Sequence, residues 1–499
     1  MLPEPFWDWN ALEALADHST PVVLDASATA RIEACRAYLE ARLAQLNEPI
    51  YGVNTGFGAL CQVVVGPHQL QDLQHNLIRS HAAGCGALLA DDVVAWMLRL
   101  KVHALALGFS GVRLQTVSLL AEFYNRRLWP AVPEMGSLGA SGDLAPLAHL
   151  CLPLIGEGAF QIDGQIRDAA SVLEEQGLVP LELEAKEGLA LLNGTQFMSA
   201  HAVASILKVR HLMAWADAIA ALSLDVFYAR TEPFHPAIQA IRPHQGQVDT
   251  AASIRAWRSG SQLSNQFKSQ VQDPYSFRCI PQVQGSARDA LRFAESIVRT
   301  EINSVSDNPN VFPQEKLILS GGNFHGQSIA LALDVLALGL VHLAGISERR
   351  IYQMQQGNRG LPPFLTRNPG LQSGLMIVQY TAAAAVNAMK TFAHPHSADS
   401  ITSCNGQEDY VSMGANAAVK CLKQTDLLLS VLAAEWLHAC QALDLRRPAR
   451  TSPVLEELHA QFRQRVPVLD SDRQQSIDLE AARAFIDVTD VRSLRPVVS

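Results

Sequence analysis

Met213-Ala-Trp-Ala-Asp-Ala-Ile-Ala-Ala-Leu-Ser-Leu-Asp-Val-Phe227 is apolar at almost every position, and it lies within a longer run of the same kind at 195–229. Similar runs recur near 284–302, 323–356, 370–391 and 411–445. Apolar segments this long, with helical periodicity, predict long helices. Each is hydrophobic around most of its circumference, so each must be covered on several sides. The expected fold is therefore mainly α, a long-helix bundle extended by further subunits. The last run stops at Arg446-Arg447-Pro448, where basic residues precede one that cannot continue a helix.

Before residue 195 the pattern is finer. Pro21-Val-Val-Leu-Asp25 reads as a short strand, and an amphipathic helix is expected from about Thr29 to Leu46. Glycines 52, 56 and 58 make Tyr51-Gly-Val-Asn-Thr-Gly-Phe-Gly58 a loop. Helices follow from about Gln69 to Ala83, stopping at Gly84, and from Asp91 to Leu107, stopping at Gly108. Asp163-Gly164 signals a hairpin inside Gly156–Ile166. The chain accordingly divides into a smaller, loop-rich N-terminal domain, 1–194, and a C-terminal bundle domain, 195–499.

A length of 499 residues allows a large core and more than one domain. The formal charge of −9, without a long basic run, disfavours a nucleic-acid partner. Met1–Asn10 lacks the basic region and apolar run of a signal peptide. Ile329–Ile346 is the most hydrophobic candidate for a membrane span, but it carries Asp334 and His342 and reads better as a buried helix. Cys35, Cys61, Cys85, Cys151, Cys279, Cys404, Cys421 and Cys440 are scattered, with no C-x-x-C pair. They suit small core positions in a reducing compartment. A cytoplasmic enzyme is expected, with no membrane partner.

One short stretch carries unusual chemistry: Gly136-Ser-Leu-Gly-Ala-Ser-Gly-Asp-Leu-Ala-Pro-Leu-Ala-His149. On a tight, dry turn, the amide nitrogen of Gly142 can attack the carbonyl carbon of Ala140. Two waters leave, one carrying the Ser141 hydroxyl, and a five-membered ring with an exocyclic methylidene remains. Gly142 has no Cβ to block the approach, Ser141 provides the Cβ–O bond that breaks, and Ala140 is small. The product is an electrophile that ordinary side chains do not offer. The tripeptide alone is common in chains this long, so the longer string has to carry the reading.

Other residues have local readings of their own. Tyr51 is a turn aromatic, and His81, in Arg79-Ser-His-Ala-Ala-Gly84, lies near a helix end. Asn193 and Gln196 suit a turn or a cap. Gln272, Tyr275 and Arg278 lie in Val271–Cys279, with Tyr275 and Arg278 on one face if the segment is helical. Arg278 suits either a bidentate grip on a carboxylate or a structural ion pair. Asn323 and Phe324 lie in Ser320-Gly-Gly-Asn-Phe-His-Gly326, whose glycines open a helix and leave amides for an anion. Glu408, in Asn405-Gly-Gln-Glu-Asp409, is placed at the start of the final long helix, where the dipole alone explains an acid. His394-Pro-His396 lacks a third metal ligand at suitable spacing. No phosphate loop, catalytic triad or nucleotide fingerprint stands out.

Taken together, these blocks resemble the aromatic amino acid ammonia-lyases, in order, from about residue 20 to about 475. The 136–149 string is similar to the family signature for the 4-methylidene-imidazole-5-one cofactor. The resemblance implies a bundle of the histidine ammonia-lyase type, assembled as a homotetramer with shared active sites, and neither metal nor nucleotide. It implies that Ala140, Ser141 and Gly142 form the electrophile and that Tyr51 takes the substrate's β-hydrogen. It also gives Tyr275 a catalytic place. Asn193, Gln272, Asn323 and Phe324 would contact the substrate, Arg278 its carboxylate, and His81 with Glu408 a substrate ring. Ser80-His81 and Glu408 are similar to the histidine-lyase choices, implying L-histidine going to trans-urocanate. Tyr410 departs from the His common there in histidine lyases. A tyrosine ammonia-lyase, an aminomutase on the same cofactor and a non-catalytic scaffold are the alternatives; no mobile Ser loop of the fumarase type is found.

Overall fold

The computed structural model describes residues 6–45 and 49–494. The fold is mainly α, and the five long apolar runs are helices at Gln196–Val226, Ile280–Ile302, Gln327–Met354, Met376–Phe392 and Gly414–Leu445. Strands are short and antiparallel. The chain forms two compact units, each built from three separate stretches. One comprises residues up to Ala204, Glu295–Asp334 and Pro395–Lys420; the other comprises Ser205–Ala294, Val335–His394 and the chain from Cys421 on.

In the first unit, the strand Cys85–Leu88 pairs with Pro133–Met135, with Cys85 opposite Met135. Cys85 follows the end of the helix Leu70–His81, and Met135 immediately precedes Gly136. That pairing anchors the His81 end of the helix and the 136–142 turn to one ladder. Ala159–Ile162 and Gln165–Asp168 form the expected hairpin. Asp163 and Gly164, at φ +49° and +74°, take the left-handed conformations that a two-residue turn requires. Pro21–Asp25 is not a strand: it joins no ladder, and the Val22 N–H and carbonyl bond instead to the Asn125 side chain at 2.7 and 3.0 Å. A helix at Leu114–Asn125, not expected from the sequence, packs on Asp91–Ala106.

A buried acid fixes the helix Glu187–Leu192, which delivers Asn193. The Glu187 side chain is fully buried and accepts from Arg113 N and Nε at 2.9 Å and from Thr116 Oγ1 at 2.6 Å. The helix Gln327–Met354 is the one element among the described residues long and apolar enough to cross a membrane by length and composition, and 67% of its apolar window is buried. Its Asp334 pairs with Lys420, both buried.

In the second unit, Trp215 and Trp436 meet edge-on at 5.3 Å, with Phe462 and Phe485 around Trp436. The buried Glu435 carboxylate accepts from Arg350 Nε and Nη2 at 2.5 and 2.7 Å, and from Ser223 and Ser347 hydroxyls at 2.7 and 2.5 Å.

Two buried histidines make stability depend on pH. Burial pushes His438 and His103 down to about 4 from the ordinary 6.5. His438 Nδ1 donates to the Ala434 carbonyl at 2.7 Å, and His103 stacks on Trp7 at 4.0 Å. Because the folded value is the lower one, this stability is present above pH 6.5 and is lost as pH falls through 4. Asp143 acts with the opposite sign: burial raises it to about 7, so its contribution is present in acid and gone above that pH. Melting curves of His438→Leu against the parent isolate the first effect. The variant should lose less stability between pH 6.5 and 4.5; parallel acid limbs would count against a buried neutral His438.

Candidate active site

Tyr51, His81, Ser141, Asn193, Phe324 and Glu408 line one cavity of about 460 Å³ in the first unit. Leu73, Leu77, Leu144, Leu189 and Leu192 make much of its wall apolar. Polar atoms placed in such a wall fix a ligand's orientation.

The 136–142 turn sits at its edge under tight restraint. Gly142 has φ +73°, and a Cβ there would lie 2.2 Å from the Gly194 carbonyl oxygen, so no other residue fits. The Asp143 amide donates to that same oxygen at 2.7 Å, and Asn193 Nδ2 donates to the Ser141 carbonyl at 2.6 Å. The Asp143 carboxylate is fully buried, accepting from Met198 N at 2.9 Å and Ser137 Oγ at 3.1 Å. Ser412 Oγ donates to the Gly139 carbonyl at 3.1 Å. The turn is held on both flanks.

Ser141 Oγ points to Glu408 and donates to its Oε1 at 2.9 Å, while Ser403 Oγ donates to Oε2 at 2.7 Å. Glu408 is not at a helix start. It lies in a bridged turn, Ser403 opposite Glu408, ahead of the helix Gly414–Leu445. A macrodipole fades within one turn, so it does not account for this acid. Ser403 had no sequence signal, because the turn bringing it to Glu408 depends on left-handed Cys404 and Asn405, at φ +50° and +52°.

His81 ends the helix Leu70–His81, and its Nδ1 lies 2.8 Å from the Leu77 carbonyl. A carbonyl accepts, so Nδ1 carries the proton and Nε2 is left as an acceptor. Tyr51 Oη accepts from the Gly58 amide at 3.2 Å. Burial, reinforced by the nearby Glu408 charge, pushes its phenol above the ordinary value. The lowering that a phenolic base needs is therefore not provided within this chain.

Phe324 lines the cavity, but Asn323 does not: it is exposed and reaches the Val305 carbonyl at 3.4 Å. The glycines before them do not open a helix directly, because Gln327–Met354 starts after Gly326. Tyr410 is exposed and outside the cavity lining, so its departure from the histidine-lyase pattern leaves the wall unchanged.

Gln272, Tyr275 and Arg278 line a different recess, of about 500 Å³, in the second unit. Tyr275–Arg278 is a single helical turn, and the guanidinium lies 4.7 Å from the centre of the Tyr275 ring. Arg278 has no carboxylate partner among the described residues, and its Nε is buried without a hydrogen bond. The structural ion pair therefore finds no second member. No group of three or more His, Cys, Asp or Glu able to hold a metal occurs among the described residues.

The family model for aromatic amino acid lyases matches residues 8–464. This chain belongs to that family. The aromatic amino acid lyase fold is confirmed by a histidine ammonia-lyase structure from Trypanosoma cruzi, 40% identical, with TM-score 0.89 over 96% of this chain and 92% of that one. A tyrosine aminomutase from Streptomyces globisporus is 36% identical, with TM-score 0.94 over 99% and 98%. Among curated relatives, a histidine ammonia-lyase from Stigmatella aurantiaca is 47% identical over 95% of this chain and 93% of its own length. As a member of the aromatic amino acid lyases, the chain is a carbon–nitrogen lyase.

Proposed function

We propose that this lyase removes ammonia from L-histidine to give trans-urocanate, using an electrophile formed from Ala140-Ser141-Gly142. The observation that carries the choice of substrate is that His81 and Glu408 line one cavity with Ser141. Both present acceptors: His81 through Nε2, Glu408 through its carboxylate. An imidazolium has two N–H donors to satisfy them, whereas a phenol has one and leaves a desolvated acceptor unpaired.

The turn fits the 4-methylidene-imidazole-5-one ring, since Gly142 tolerates a carbonyl pressed against it and Asn193 already binds the Ser141 carbonyl. That ring supplies an electron-poor carbon for the substrate amine. Loss of the Ser141 hydroxyl also releases Glu408 Oε1 for the substrate ring. Arg278 holds the carboxylate, with Gln272 and Tyr275 beside it. Its unpaired guanidinium supports a homotetramer in which another copy's 272–278 segment completes the site, and Asn323 serves at that shared edge. The added positive charge there is what brings the Tyr51 phenol within reach of base chemistry. The segment 1–194 thus carries the base and the electrophile, and 195–499 the bundle that assembles the copies. Eight cysteines with no disulfide among the described residues suit a reducing cytoplasm.

The test is incubation of pure protein with L-histidine and with L-tyrosine, following urocanate and coumarate absorbance, with β-amino acid formation as the mark of an aminomutase. Glu408→Gln should lower kcat/KM on histidine roughly 10- to 100-fold, the range for losing one charged hydrogen bond, and change any tyrosine turnover far less. Equal losses on both would remove the assignment.

A further inference from the structure

A buried lysine behind the turn has no part in the chemistry above. Lys101, on the helix Asp91–Ala106, is 1% exposed, and its Nζ donates to the Asn193 carbonyl at 2.9 Å and to Gln196 Oε1 at 3.4 Å. Burial pushes its ammonium down to about 8. Perturbed titratable groups of this kind gather where a site is being held. Beyond the Asn193 carbonyl, Lys101 is linked through Asn193 and Gly194 to Ser141 and Gly142. The Asn193 side chain holds the Ser141 carbonyl at 2.6 Å, and the Gly194 oxygen stands against Gly142 and binds the Asp143 amide at 2.7 Å.

We infer that Lys101 is a positioning residue for ring closure: it clamps the Asn193-Gly194 turn, and through it presses Gly142 towards Ala140. The inference rests on the reading of Ala140-Ser141-Gly142 as the source of the electrophile. In the closure, the Gly142 nitrogen bonds to the Ala140 carbonyl carbon. The carbonyl oxygen leaves as water with the amide hydrogens of Gly142 and Ser141, and a carbon–nitrogen double bond forms to the Ser141 nitrogen. The Ser141 Cα hydrogen and hydroxyl leave as the second water, giving the methylidene. No oxidant is needed, so geometry is what the protein has to supply.

Lys101 is suited to that task because its hydrogen bond is charge-assisted and lies in a water-poor interior. Without Nζ, the buried Asn193 carbonyl has lost its donor, and the Asn193–Gly194 peptide relieves this by turning towards another. That turn withdraws the Gly194 oxygen from Gly142. The reacting nitrogen then has room to retreat.

The experiment compares parent, Lys101→Met, Lys101→Gln and Lys101→Arg by the mass of the proteolytic peptide containing 140–142, with circular dichroism to confirm folding. The parent peptide should be lighter by two waters. In Lys101→Met and Lys101→Gln the lightened fraction should fall by about tenfold at equal expression time, and Lys101→Arg should restore it, since the guanidinium keeps a charged donor. Lys101→Gln keeps a polar side chain but is one bond shorter and uncharged, so its amide falls short of the Asn193 carbonyl, and it tests the clamp should Lys101→Met fail to fold. Full dehydration in folded Lys101→Met or Lys101→Gln overturns the inference. A parent peptide without the deficit is a different failure: it removes the electrophile itself.

Discussion

Ser141→Ala lowers kcat by about three orders of magnitude or more while leaving the fold intact. The side chain lost is small and half-buried, and its one hydrogen bond among the described residues is that of 2.9 Å to Glu408, which Ser403 also holds. Removing one such bond costs roughly 1 kcal/mol, too little to unfold the chain. The chemical loss is of another order. Alanine has no Cβ–O bond, so no methylidene forms and the substrate ammonium remains a poor leaving group beside a weakly acidic C–H. General base catalysis, the role proposed for Tyr51, contributes on the order of 10²–10⁴, whereas enzymes typically reach at least about 10⁶. Urocanate formation and the melting temperature, measured on the same preparations, check both halves. Parent-like turnover in Ser141→Ala would sink the electrophile.

How far a sequence discloses such a site depends on the range over which each residue acts. The helices Gln196–Val226 and Gly414–Leu445 were legible because burial all round leaves an unmistakable apolar run, and the structure moves their ends by only a few residues. The Asp163-Gly164 turn was legible because two left-handed residues in succession restrict composition. The 136–142 stretch was legible as a tight turn, through the need for Gly142 where a Cβ would meet a carbonyl. Pro21–Asp25 misled because its apolar residues line a recess beside the helix Asp91–Ala106 rather than joining a ladder, and local pattern does not distinguish the two. Glu408 misled for a related reason. Its place is set by Ser403 and Ser141, which is 267 residues away in the chain. Lys101 left one trace, a cation two residues after Arg99 in an apolar helical run, and a buried partner for it can be named only once Asn193 is in position.

Arg350→Met should destabilise the protein by about 3–5 kcal/mol, the largest effect expected away from the site. Arg350 and Glu435 are both fully buried, and the guanidinium supplies two of the four hydrogen bonds on that carboxylate. Removing it leaves an uncompensated charge held only by the Ser223 and Ser347 hydroxyls. The large figure is that penalty, not the worth of the pair. A double variant, Arg350→Met with Glu435→Leu, removes both charges and should recover most of the loss, since well-packed apolar replacements of buried ion pairs are often neutral or better. Arg350 Nη1 also reaches Gln284 at 3.4 Å, on the helix that follows Tyr275–Arg278. Denaturant melts of parent, both single variants and the double close a cycle that separates coupling from individual cost. If Arg350→Met lies within about 1 kcal/mol of the parent, water reaches Glu435 and the core is not as closed as the buried pair requires.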